Sequence, residues 1–147
     1  MLKLMADRGA ERCHWLHYLQ MTSEKLAKAY LTPPGGSPPM SHEMLVRLVR
    51  FLSKTPRLRR RLGLASTARA NAYAVGLLPV AERVQGLAPS AAHRSARNPE
   101  YPWQPQPDAD VVAPADYPFH SFERDKTNLP RLLRLIAALL ESEGIDS

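Results

Sequence analysis

The residues with the most recognisable chemistry in this sequence form a cluster of positive charges near its middle. Five cationic side chains fall within eight residues, at Lys54, Arg57, Arg59, Arg60 and Arg61. Such a cluster would bind the phosphates of a nucleic acid in a salt-dependent way. No aromatic residue is interleaved within it to stack a base, so single-strand specificity is not indicated. A solvated turn explains the cluster equally well, and both interpretations stand.

A second group, Cys13, His14 and His17, has the residue types of a metal site. Zinc requires three or four ligands with supporting partners, and no further cluster of Cys or His lies nearby in the sequence. The sequence also lacks a nucleophile elbow and a Gly-rich loop that opens a helix. We therefore predict no metal and no cofactor.

His42 and Lys25 admit two interpretations. They form part of a ligand-binding site, or His42 makes a hydrogen bond that fixes the loop before the second helix. We favour the second interpretation, because motif positions in small helical bundles are often structural.

The elements that would position these residues form one domain, since the chain has 147 residues. Its net charge of +6 is unevenly distributed, with 16 Lys or Arg and 5 Asp or Glu in residues 1–97 but 4 and 9 in residues 98–147. The imbalance favours a nucleic-acid contact, although biased coding would also enrich Arg. A single cysteine and the lack of a long apolar run predict a cytoplasmic protein without a membrane segment.

Two helices are predicted in the first third of the chain. Apolar residues recur at helical spacing over residues 7–31, and the Pro/Gly-rich residues 32–40 end that helix. The second helix is expected to start at Ser41 as its N-cap, with Glu43 in its first turn. Its apolar face is predicted to comprise Met44, Leu45, Leu48, Val49 and Leu52.

The middle of the chain predicts a basic helical turn over residues 57–63 and a third long helix over residues 66–86, which Pro79 is expected to bend. Six prolines between Pro99 and Pro118 argue against regular structure over residues 88–123. We expect this segment to pack on the domain as an ordered wrap, because it is rich in aromatic residues. These are Tyr101, Trp103, Tyr117, Phe119 and Phe122.

The last helix is predicted over residues 128–144. Leu135 and Leu139 widen its apolar stripe, which indicates central burial or a dimer contact. The predicted fold class is an all-α bundle of four to five helices with a long Pro/aromatic-rich loop before the last one. The main core face of that helix is predicted to comprise Leu129, Leu132, Leu133, Ile136 and Leu140.

Three stretches together resemble one family. Residues 15–31 resemble the first long helix of HEPN domains, in which a Glu-Lys pair precedes a Lys-Ala-x-Leu ending. Residues 41–45, Ser-His-Glu-Met-Leu, are similar to the family's Thr-His-Asp-Leu opening of helix two. Residues 98–103, Asn-Pro-Glu-Tyr-Pro-Trp, resemble the Arg-Tyr-Pro segment before the last helix.

The resemblance implies a HEPN-type helical bundle, commonly a homodimer, in a toxin–antitoxin or defence setting. It also implies a nucleotidyltransferase-type antitoxin as a partner, or RNA or nucleotide as a ligand. The matching motif positions imply contact residues at Lys25, His42, Arg94, Arg97, Asn98 and Tyr101.

The chain departs from the family at the catalytic motif. Catalytic HEPN ribonucleases carry Arg-x(4–6)-His near the last helix, and neither Arg94 nor Arg97 has a His at that distance. The leading hypothesis is therefore binding of RNA, a nucleotide or a partner protein without an intact ribonuclease site. One alternative is a metal-independent ribonuclease in which Arg94 or Arg97 stabilises the phosphate and His93 or His120 moves a proton. Another is a scaffold protein that forms a homo-oligomer.

Overall fold

The computed structural model shows an all-α bundle, which confirms the predicted fold class. It describes residues 12–88, 99, 101–104, 106–117 and 119–143, and only the backbone of His120, Glu123, Ser142 and Glu143. None of the described helices is both long and apolar enough to cross a bilayer. The helices are α1 (Arg12–Leu31), α2 (Met44–Phe51), α3 (Pro56–Arg61), α4 (Thr67–Gln85), α5 (His120–Glu123) and α6 (Asn128–Glu143), with 3₁₀ turns at Leu52–Lys54 and Pro114–Asp116.

The long helix α4 lies at the centre of the bundle, where it packs against α1, α2 and α6. Its start is capped by Ser66, whose Oγ accepts a hydrogen bond from the Arg69 backbone N–H at 3.2 Å. Leu77, Val80 and Val84 form an apolar stripe along α4 that is fully buried. Burial of this stripe on three neighbours at once makes α4 the element on which the other helices are positioned.

The start of α2 differs from the prediction. The helix begins at Met44 rather than after Ser41, whose hydroxyl instead accepts a hydrogen bond from the Glu43 N–H in the preceding loop. Glu43 occupies the N-cap position without a side-chain capping bond. The amide of Gln85 on α4 supplies the missing acceptor, because its Oε1 takes the Val46 N–H at 3.1 Å. The five predicted apolar residues of this helix are all buried.

The described part of the Pro-rich segment is an ordered wrap, as expected. Trp103 and Val112 exchange two backbone hydrogen bonds in an isolated antiparallel bridge. Trp103, Tyr117 and Phe119 form an aromatic cluster with ring centroids 4.8 to 6.4 Å apart. The prediction of no regular structure is wrong at the end of the segment, where residues 120–123 form the single turn α5.

The buried face of α6 also differs from the prediction. Leu135 and Leu139 are 0% and 1% exposed, whereas Leu140 is 51% exposed. The reason is that α6 packs against α1, α3 and α4, so the buried stripe is rotated towards residues expected to lie at its margin. Central burial therefore accounts for the apolar excess that also suggested a dimer contact.

Candidate nucleic-acid interface

A row of exposed cations runs along α2 and continues onto α3. Arg47 and Arg50 are three residues apart, which places them on the face of α2 opposite the buried leucines, and Lys54 follows in the 3₁₀ turn Leu52–Lys54. Arg57 and Arg60 are exposed on the following helix. We call these five residues the basic ridge.

Phe51 is a large aromatic side chain within the basic ridge, and it is 41% exposed. The Arg47 guanidinium lies 5.9 Å from the centroid of its ring, and the Lys54 ammonium lies 5.3 Å from it. These distances are within the range of cation–π contacts. No aromatic residue lies within residues 54–61, but the fold places the ring of Phe51, three residues before the cluster, beside Lys54. The i, i+3, i+4, i+7 spacing of residues 47, 50, 51 and 54 is the sequence signal for this grouping on one helical face.

The predicted cluster divides into exposed and structural members. Arg59 donates from Nη1 to the Thr67 hydroxyl at 2.7 Å and so joins α3 to the start of α4. Arg61 donates from Nη1 to the Ala138 carbonyl at 3.3 Å and so joins α3 to α6. Both are half-buried. Of the five predicted residues, Lys54, Arg57 and Arg60 stay in the interface.

The electrostatic surroundings of the basic ridge are strongly positive. Between Glu43 and Glu82 the sequence contains eight Lys or Arg and no Asp or Glu. Among the described residues, no carboxylate lies within 4.0 Å of a basic-ridge cation, since the ion pairs there involve other residues. A surface with this charge attracts polyanions, and the attraction weakens as salt is added.

A cavity of about 490 Å³ opens beside the basic ridge, between α2, the end of α4 and the loop before α2. We call it the Phe51 cavity. Arg47, Arg50 and Phe51 lie along its α2 side, and Glu82 and Gln85 lie along its α4 side. Glu43 borders it on the side of the loop, so the cavity combines two cations, an aromatic ring, two carboxylates and an amide.

His42 is held by a carboxylate of α1. Its Nδ1 lies 2.9 Å from Glu24 Oε1, which also lies 2.7 Å from Lys28 Nζ. Gln20 donates from Nε2 to the other oxygen of Glu24 at 2.7 Å. Burial alone would raise the pKa of Glu24, but hydrogen bonds from His42, Lys28 and Gln20 and the charge of His42 lower it below its usual value.

The contact between His42 and Glu24 joins the loop before α2 to α1. It supports the interpretation that His42 fixes this loop. Lys25 is exposed on α1, one position from the carboxylate that holds His42. A ligand contact at Lys25 and His42 stays a prediction.

The remaining predicted site residues lie in other parts of the chain. His93, Arg94, Arg97 and Asn98 fall outside the described residues, and for His120 only the backbone is described. Tyr101 is 55% exposed in the wrap. The ribonuclease alternative depends on these positions and stays a prediction.

Cys13, His14 and His17 border a cavity of about 360 Å³ under the wrap. Within the described part of the chain, no three His, Cys, Asp or Glu side chains are grouped closely enough to hold a metal ion. Three ligands are the fewest in an ordinary zinc site. This cavity therefore offers no metal centre among those residues.

A larger cavity, of about 590 Å³, lies between α4 and the wrap. Its cation, Arg83, is already engaged by an ion pair with Asp125 and by the Ser121 carbonyl, to which it donates at 2.9 Å. The guanidinium also lies 5.6 Å from the centroid of the Phe122 ring. These contacts anchor the wrap to α4, so Arg83 acts here as a structural residue.

Comparison of the chain with known protein families, with curated proteins and with solved structures finds no match.

Proposed function

We propose that this chain binds single-stranded RNA through the basic ridge. The observation that carries the proposal is the exposed ring of Phe51, flanked by the cations of Arg47 and Lys54. Surfaces that bind single strands combine cations that follow the phosphates with aromatic rings on which bases stack. A ring buried in the core would not serve this purpose, and a cationic patch without a ring would favour phosphates alone.

The two parts of the surface make separable contributions to binding. Stacking of one base on an aromatic ring contributes about 1–3 kcal/mol and depends little on salt. The logarithm of the association constant falls linearly with the logarithm of the salt concentration, and each phosphate neutralised on a single strand makes that slope steeper by about 0.7. The five cations of the basic ridge therefore set a slope of at most about 3.5.

The biological setting that we propose is that of HEPN proteins in toxin–antitoxin or defence systems, acting as a homodimer or with a nucleotidyltransferase-type antitoxin. The all-α fold is compatible with this setting, and the motif resemblance in residues 15–31, 41–45 and 98–103 supports it. RNA binding by the basic ridge does not depend on that setting, because it follows from the exposed charges and ring.

The experiment is fluorescence anisotropy with a labelled 12-nucleotide single-stranded RNA of mixed sequence, at several salt concentrations. Phe51→Ala is expected to weaken binding by roughly five- to 150-fold at every salt concentration without changing the slope. A double Arg47→Gln/Arg50→Gln variant is expected to lower the slope by about 1.4. The matched control, Arg131→Gln/Arg134→Gln, removes the same charge from the exposed face of α6 and should bind like the wild type.

Three results would contradict the proposal: no binding at low salt, equal losses from the ridge and control variants, or unchanged affinity after Phe51→Ala. The integrity of the RNA, followed on a denaturing gel in the same samples, tests the ribonuclease alternative. Cleavage that survives both ridge variants would favour a catalytic site elsewhere in the chain.

A further inference from the structure

We propose that a cavity at the end of the basic ridge binds the terminal phosphate of an RNA strand. The cavity has a volume of about 390 Å³ and lies between α3 and the turn that leads into α4. We call it the α3–α4 cavity. The inference rests on the proposed RNA binding and adds a preference for one kind of strand end. The residues that line the cavity are Pro56, Arg59, Arg60, Gly63, Leu64 and Ala65.

The charge of the α3–α4 cavity is positive throughout. Its polar side chains, among the described residues that line it, are the two guanidiniums of Arg59 and Arg60. Neither forms an ion pair with another described residue. The Phe51 cavity differs, because two carboxylates there oppose two cations. Of these two cavities, the α3–α4 cavity is therefore the one that favours an anion.

The backbone that carries both arginines is fixed by a Schellman turn at the end of α3. The Gly63 N–H donates to the Arg60 carbonyl at 3.0 Å, and the Leu64 N–H donates to the Arg59 carbonyl at 2.9 Å. Gly63 has a φ of 69°, the left-handed conformation that this turn requires. Because the two carbonyls are satisfied by these N–H groups, their partial negative charge is compensated beside the cavity.

The side chain of Arg59 is held in place and still has unused donors. Its Nη1 donates to the Thr67 hydroxyl at 2.7 Å, which places the guanidinium beside the first residue of α4. Within the described part of the chain, no group accepts a hydrogen bond from its Nε or its Nη2. A guanidinium binds phosphate oxygens through such N–H groups in charge-assisted hydrogen bonds. The positive end of the α4 dipole adds a smaller attraction at the same place.

A terminal phosphate suits this cavity better than an internal one. A phosphomonoester carries about 1.5 to 2 negative charges at neutral pH and three acceptor oxygens, whereas an internal phosphodiester carries a single charge. The terminal group therefore matches the two adjacent cations of the cavity. The basic ridge ends at Arg60, and the chain turns away from it at Gly63. A strand that follows the ridge thus reaches the cavity with one of its ends.

The test compares three 12-nucleotide RNAs of one sequence by fluorescence anisotropy at pH 7.5, each labelled on an internal nucleotide. One has hydroxyl groups at both ends, one has a 5′-phosphate and one has a 3′-phosphate. The wild type is expected to bind one of the phosphorylated strands about five- to tenfold more tightly than the hydroxyl strand. A 14-nucleotide strand with hydroxyl ends has about the same total charge as the phosphorylated strands and should gain about twofold or less.

Substitutions on α3 locate the preference. Arg60→Gln should reduce the affinity ratio of phosphorylated to hydroxyl strand towards one, because it removes one of the two cations of the cavity. Arg59→Lys should also lower this ratio, because it keeps the charge but loses the guanidinium N–H groups. The matched control is Arg57→Gln, since Arg57 is an exposed basic-ridge residue of the same helix that does not line the cavity. It should weaken binding of both strands equally and leave the ratio unchanged.

The outcomes separate the two proposals. Failure of every strand to bind at low salt would refute RNA binding itself. Equal affinities for the three 12-nucleotide strands, or an equal gain for the 14-nucleotide strand, would refute the terminal-phosphate site while leaving RNA binding in place. The same conclusion follows if Arg57→Gln and Arg60→Gln lower the ratio equally, since the preference would then reflect general charge alone.

Discussion

Two neighbouring leucines on α6 offer a direct test of how this helix is buried. Leu139 is 1% exposed and Leu140 is 51% exposed, although periodicity assigned Leu140 to the main core face and Leu139 to its margin. Leu139→Ala and Leu140→Ala make the same chemical change in the same helix. Any difference between them in the free energy of unfolding therefore comes from tertiary packing.

The expected magnitudes follow from the burial of each side chain. Leu to Ala removes about three methylene equivalents, which contribute about 2.4 kcal/mol when fully buried. An unfilled cavity adds about 1–2 kcal/mol, so Leu139→Ala should cost about 3–4 kcal/mol. Leu140 is about half buried and leaves no enclosed cavity, so its substitution should cost about 1 kcal/mol.

Urea denaturation followed by circular dichroism measures both variants against the wild type, and thermal unfolding should separate them by roughly 4–12 °C. Each measurement is repeated over a tenfold range of protein concentration. Equal losses for the two variants, or a larger loss for Leu140→Ala, would refute the burial described for α6. A loss for Leu139→Ala that depends on protein concentration would instead place this leucine at an interface between subunits.

Three further variants test the contacts that join the elements. Glu24→Gln should cost about 1–2 kcal/mol at pH 7. The pKa of Glu24 in the folded state lies below its ordinary 4.5. The difference in unfolding free energy between the wild type and Glu24→Gln, measured by urea titration, should therefore shrink as the pH falls below 4.5. Ser66→Ala should lower the unfolding free energy by about 0.5–2 kcal/mol and Ser66→Asp should restore it, because only the latter can cap α4. Arg83→Gln should cost about 1–3 kcal/mol and increase proteolysis of the wrap, whereas the exposed Arg124→Gln should change stability by less than about 0.5 kcal/mol.

The candidate interface was only partly predictable from the sequence. Lys54, Arg57 and Arg60 are exposed, as short basic runs usually are, and their contact with nucleic acid stays a prediction. Arg59 and Arg61 are instead half-buried, because one donates to Thr67 and the other to a carbonyl of α6. Neither partner is recognisable from charge, since a hydroxyl and a backbone oxygen accept from Arg without any local pattern.

The contacts of His42 with Glu24 and of Gln85 with Val46 could not be predicted from the sequence either. The members of these pairs are 18 and 39 positions apart, and no periodic signal connects residues in different helices. Only the docking of α1 and α4 against the start of α2 brings them within hydrogen-bond distance.

The sequence by itself determined that the chain forms helices and where the long ones lie, although it missed the single turn α5 and placed the start of α2 too early. The reason is local, since apolar side chains spaced at 3.6 residues mark one face of a helix, and Pro and Gly interrupt it. The tertiary structure decided which face is fully covered and which polar groups remain for a ligand. Coverage depends on how many neighbours a helix has, and α6 has three, which buries Leu139 and leaves Leu140 exposed.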